Sequence, residues 1–83
     1  LSQMNKNKID IFPNPTSDAF HINFNNLESY DIEIVDLVGK LIVKEEDVNS
    51  FITIKTSKFL SGTYFIRIQG ALDIQTYKIV VER

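Results

Sequence analysis

Cysteine and tryptophan are absent from this chain, and histidine occurs once. The first absence excludes disulfides, thiolate metal sites and thiol nucleophiles together, yet leaves the compartment open, because extracytoplasmic domains do not all use disulfides. The lone histidine, His21, has no second imidazole for a two-histidine metal site and no partner as a catalytic base. It stands between Phe20 and Ile22 on the expected outward face of a strand, where a surface histidine is the plain reading. There is no apolar run of about 18 residues, so no transmembrane helix is expected. The opening Leu1-Ser2-Gln3-Met4 is not a charged-then-apolar leader, so no signal peptide is expected, and the missing initiator Met suggests a piece of a longer protein. Helical periodicity is missing throughout.

The 83 residues suffice for one domain with a single thin core, since a chain this short buries only about 60–65% of its unfolded surface. With 43% hydrophobic and 24% charged residues it falls in the globular range. The net charge of −2 is unevenly spread. Residues 25–50 hold Glu28, Asp31, Glu33, Asp36, Glu45, Glu46 and Asp47 against Lys40 and Lys44, a balance of −5. Residues 51–83 hold Lys55, Lys58, Arg67, Lys78 and Arg83 against Asp73 and Glu82, a balance of +3. Two solvated strips of opposite sign account for this; a weakly basic face that steers an acidic partner is the sharper alternative. Nucleic acid is a poor partner for a chain that is acidic overall and has no dense Lys/Arg patch.

Residues 1–8 are polar and aperiodic and read as a linker from a preceding domain, with residues 9–83 as the folded unit. A short strand at Ile9–Phe12 is stopped by Pro13-Asn14-Pro15, because proline cannot donate to a ladder and disfavours helical backbone before it. An extended corner is expected there. Phe20, Ile22 and Phe24, then Tyr30, Ile32 and Ile34, alternate with polar residues as half-buried strands do. Asp36-Leu37-Val38-Gly39-Lys40 reads as a hairpin turn in which Gly39 takes the left-handed conformation of a G1 bulge. Leu41–Lys44 is the expected return strand and Glu45–Asn49 an acidic loop, before alternation resumes over Phe51–Thr56. Phe59 and Leu60 are apolar residues inside a connection and are expected to tuck beneath it, with Gly62 swinging the chain into the next strand. Tyr64, Ile66 and Ile68 share one face; after a turn at Gln69–Asp73, Tyr77, Ile79 and Val81 mark the inward face of a final strand. About seven short strands at this spacing predict an antiparallel immunoglobulin-like β-sandwich.

The inventory of chemistry is thin, and no enzyme activity and no cofactor are expected. The carboxylates of residues 28–47 suggest no apolar cleft and default to solvated groups. Asn14, Ser17 and Asp18 offer oxygens to a hard cation, but calcium loops place more ligands at alternating positions, so turn stabilisation is the better account. Neither Gly39 nor Gly62 precedes a helix, so neither belongs to a phosphate loop. Tyr64, Phe65 and Tyr77 could form an aromatic platform for sugars, which would make the domain a carbohydrate-binding accessory module; the absence of tryptophan weighs against this. Phe65 points opposite to Tyr64 and Ile66, so it either packs under a loop or is an exposed apolar spot for a partner.

Three motifs in order carry a resemblance: Pro13-Asn14-Pro15, then Asp36-Leu37-Val38-Gly39-Lys40, then Leu60-Ser61-Gly62-Thr63-Tyr64-Phe65 followed by Tyr77–Val81. The pattern resembles the C-terminal sorting domain of cargo proteins exported by the type IX (Por) secretion system of Bacteroidota, over residues 9–83. Arg83 stands where members often finish on lysine, which keeps the charge. The resemblance implies a β-sandwich that directs a preceding cargo domain through the periplasm and across the outer membrane to the cell surface or medium. It also implies removal after export by cleavage in the linker, with the cargo attached to anionic lipopolysaccharide or released. The partners it implies are the translocon and its surface shuttle or sortase components. Matched to the motifs, Gly62, Tyr64, Phe65, Lys78, Val80 and Val81 are the candidates for recognition, while Pro13, Asn14, Pro15, Asp36, Gly39 and Lys40 hold the fold. An ending strand with unpaired backbone groups would let a partner add a strand, and the same edges allow an edge-to-edge dimer.

Overall fold

The computed structural model describes residues 8–83; the expected linker, apart from Lys8, lies outside them. Seven strands form, and the apolar alternation explains most of them: β1 (Asp10–Phe12), β2 (Ala19–Asn23), β3 (Ser29–Val35), β4 (Leu41–Asn49), β5 (Phe51–Lys55), β6 (Gly62–Gln69) and β7 (Ile74–Val81). They pair antiparallel in two sheets, β1-β2-β5 and β4-β3-β6-β7. The predicted sandwich is what is found. Phe20 and Ile22 from the smaller sheet meet Ile32, Ile34, Ile66, Ile68, Ile79 and Val81 from the larger one, all at most 1% exposed. Phe24 stacks on Tyr30 with ring centroids 4.5 Å apart and closes one end of this core.

Three expectations are corrected. The segment Glu45–Asn49 is not a loop but the second half of β4, paired with β3 through a register shift between Tyr30 and Ile32. As an edge strand, β4 is largely exposed on both faces, so it needs no apolar alternation, and its charges discourage further pairing. Only half of the expected plug packs inward: half-buried Phe59 sets its ring 5.0 Å from that of Tyr64, whereas Leu60 is 82% exposed. The tyrosine hydroxyl donates to the Leu60 carbonyl at 2.6 Å, which fixes that backbone while its side chain faces outward. Nor is there an aromatic platform of Tyr64, Phe65 and Tyr77, because Tyr64 and Tyr77 turn toward the core and Phe65 toward the other face of the sheet. The exposed ring cluster lies elsewhere, where Phe12 and Phe51 flank His21 at 5.4 and 5.6 Å on the smaller sheet. Thr53 Oγ1 lies 2.9 Å from the His21 Nδ1, so the histidine is an outward residue as expected, but a packed one.

Candidate functional site

The Asp36–Lys40 turn is built by one carboxylate. Asp36 Oδ1 accepts from the Val38 and Lys40 amides at 3.0 and 2.9 Å, while Gly39 takes φ +88° and donates its amide to the Asp36 carbonyl at 3.0 Å. With the backbone satisfied in this way, the two central residues have nothing to bury against: Leu37 is 68% exposed and Val38 88%. The second motif reaches the same place. Residues 36–38 and 60–64 line one shallow, open groove of about 260 Å³, with Leu37, Val38 and Leu60 on its rim. The Arg83 guanidinium donates to the carbonyls of Thr56 and Phe59, tying the chain beyond β7 to the connection that precedes Leu60.

The first motif meets the final strand at this end too. Asn14 Nδ2 donates to the Lys78 carbonyl at 2.8 Å and its Oδ1 accepts from the Val80 amide at 3.0 Å. Thr16 continues the contact, its amide donating to Val80 O and its carbonyl accepting from Glu82 N, both at 2.8 Å, as an isolated parallel bridge. The unpaired edge expected of the last strand is therefore open only in part, because the corner covers its second half. The oxygen of Asn14 is engaged by Val80, and among the described residues no group of three or more His, Cys, Asp or Glu could hold a metal ion.

The six recognition candidates do not share one surface. Tyr64 and Val81 are 7% and 1% exposed in the core. Phe65 and Lys78 are cross-strand partners on the outward face, next to the pair Thr63 and Val80, and Gly62 opens β6 with φ +151°. Sequence reasoning missed Leu37, Val38 and Leu60 as a surface. Their signal was present: an apolar pair in the middle of an Asp-x-x-Gly turn has no strand face to join.

At the opposite end, Asn25 Nδ2 donates at 3.1 Å to the Lys8 carbonyl and to Asp10 Oδ2, so the chain enters there. The β6–β7 turn, with Leu72 97% exposed, lies at that end as well. Eight residues of β6 separate the two ends, about 25 Å at the usual rise. Near the entry end, burial first, then the Asp73 carboxylate and Tyr30, hold the Tyr77 phenol above its ordinary pKa.

The described residues thus form a small sandwich whose motif turns gather at one end while the chain enters at the other. The chain belongs to the secretion system C-terminal sorting domain family, whose model matches residues 10–82. An ulvan lyase of Nonlabens ulvanivorans is 33% identical over 84% of the chain, and an endo-acting ulvan lyase of Formosa agariphila 33% identical over 88%. The chain spans only 13% and 14% of those proteins, so it matches a part of each and not the whole enzyme. In fold, PorZ, a surface component of the type IX secretion system of Porphyromonas gingivalis, superposes with a TM-score of 0.77 at 19% identity, over 90% of this chain and 11% of that one. An immunoglobulin-like β-sandwich protein from Bacteroides vulgatus gives 0.78 at 19% identity, over 89% and 83%. The domain is thus a type IX sorting signal of the kind carried by cargo proteins bound for the cell surface or medium. No helix among the described residues is long and apolar enough to cross a membrane.

Proposed function

We propose that the type IX translocon and its shuttle components read this domain at the end that carries Leu37, Val38 and Leu60, and on the adjoining outward strip of Phe65, Lys78 and Val80. Tyr64, Val81, Gly62, Asp36, Gly39 and the Pro13-Asn14-Pro15 corner act by holding that surface in shape. The observation that carries this reading is the meeting of two motif segments, more than 20 residues apart in sequence, around three exposed aliphatic side chains. Apolar side chains that a domain leaves together in water mark an interaction surface. The position of Lys8 at the far end leaves the motif end free of the entering chain as far as the described residues go.

In this reading, residues 9–83 are the signal and residues 1–8 the linker cut after passage from the periplasm to the surface, with the cargo then anchored or released. The domain itself performs no chemistry. The relatives' names support an ulvan lyase as one kind of cargo such a tail carries.

The test is a reporter with a signal peptide fused to residues 1–83, expressed in a bacterium that has the type IX system, beside the same fusion truncated after Gln75. The full fusion reaches the surface or medium and the truncated one stays in the periplasm. Retention of a folded full fusion in the periplasm would overturn the sorting reading.

A further inference from the structure

In an antiparallel strand the N–H and C=O of one residue turn together to the same side, and those of the next residue turn to the other. Val80 turns both groups away from β6 and into the corner, as Lys78 turns its carbonyl. The same alternation turns the backbone groups of Thr76 and Ile74 outward. Among the described residues the corner reaches only as far as Lys78 O, β7 has no sheet neighbour except β6, and β1 makes no approach to it. The Lys78 amide and both backbone groups of Thr76 and Ile74 therefore form an open row that continues, in register, the row the corner already occupies.

From this row we infer a strand-addition site on the first half of β7, filled by an extended segment of a protein of the export machinery; the inference rests on the sorting reading. Alternating donors and acceptors at strand spacing are complementary to another extended backbone and to little else. The molecule already fills the continuation of this row itself, with the Asn14 side-chain amide and the Thr16 backbone, although the corner that carries them is bent, not the extended corner expected from Pro13-Asn14-Pro15. β4 guards its edge with charges and register shifts, whereas β7 runs through eight regular pairs with β6 and has no proline or bulge. The open stretch takes roughly five residues at about 3.3 Å each. Ile74 at its start is 51% exposed and Lys78 at its end is exposed, so the fitting segment is apolar at one end and acidic at the other.

Thr76 allows a clean test, because its amide faces the open edge and serves no bond among the described residues. Thr76→Pro removes that donor and places a ring in the partner's path while sparing the β6–β7 ladder, and Thr76→Val keeps the backbone intact. Each is compared with wild type in the reporter export assay, with circular dichroism and size-exclusion chromatography of the purified domains. The site predicts that wild type and Thr76→Val are exported, while folded Thr76→Pro falls at least tenfold and collects in the periplasm. Export of Thr76→Pro at the wild-type level overturns it. If Thr76→Pro does not fold, Ile74→Pro at the first strand position is judged by the same criteria. A wild-type dimer that Thr76→Pro converts to a monomer with unchanged export assigns the edge to a second copy and also overturns the proposal. Failure of wild-type export is a different result, which removes the sorting reading and this one with it.

Discussion

The Asn14 side chain does for Val80 what a neighbouring strand would do: its amide oxygen accepts the Val80 N–H at 3.0 Å and its nitrogen donates to Lys78 O at 2.8 Å, across 66 and 64 residues. Because the proline on each side of Asn14 lacks an amide donor, a side-chain amide takes over the strand's hydrogen bonds. Asn14→Ala removes both bonds at an exposed edge and is expected to cost about 1 to 2 kcal/mol. Asn14→Asp keeps the acceptor but turns a carboxylate oxygen toward Lys78 O, and loses at least as much. Urea unfolding midpoints of the three proteins check this order, and an unchanged Asn14→Ala midpoint would contradict it.

Gly39 lies in the left-handed region, and an added Cβ there meets no atom within 4 Å. Substitution therefore reports backbone strain alone. Gly39→Ala is expected to lower stability by about 1 to 2 kcal/mol, with Gly39→Asn losing less, measured by thermal unfolding.

Ile66 is fully buried between the sheets. Ile66→Val should cost about 0.5–1.5 kcal/mol and Ile66→Ala about 2–5 kcal/mol. Against a total of roughly 5–15 kcal/mol for a folded domain, the alanine variant is expected to melt at a clearly lower temperature than the valine variant, which equal melting temperatures by circular dichroism would rule out.

Tyr77 is held neutral by burial, then by Asp73 and Tyr30, so its folded pKa exceeds its unfolded one. The folded state then binds the proton more tightly. This leaves stability unaffected below the unfolded value of about 10 and lowers it as pH rises from there through the folded value. Tyr77→Phe should flatten the fall in melting temperature in that alkaline window and leave the neutral-pH slope unchanged. Equal alkaline slopes for the two proteins would show that the phenol contributes nothing.

What was legible in the sequence followed from local pattern. The alternation of Phe20, Ile22, Tyr30, Ile32, Ile34, Tyr64, Ile66 and Ile68 placed the inward faces correctly, and the Asp36-to-Gly39 spacing gave the turn and its left-handed glycine. β4 escaped because a strand exposed on both faces carries no apolar period, so its Glu45-Glu46-Asp47 run looked like a loop. Phe59 and Leu60 could not be told apart, since which of two adjacent apolar residues turns inward was set by Tyr64. The cover over β7 was equally hidden, as a side chain reaching 66 residues along the chain leaves no local trace. The candidate surface was only half legible: its motifs could be named, but which of their residues face solvent depends on how two distant turns meet.

The central claim, that the domain is read at the end where those turns meet, is tested most directly by moving one kind of substitution between the two ends. Leu37→Ser with Leu60→Ser changes exposed leucines at the motif end, and Leu72→Ser changes a still more exposed leucine in the β6–β7 turn. All are on the surface, where such changes alter stability by only about 0.5 kcal/mol. Reporter export is then compared at matched folding. Leu72→Ser is expected to be exported as wild type, and the Leu37→Ser, Leu60→Ser pair to be retained in the periplasm. Export of the pair at the wild-type level would contradict it.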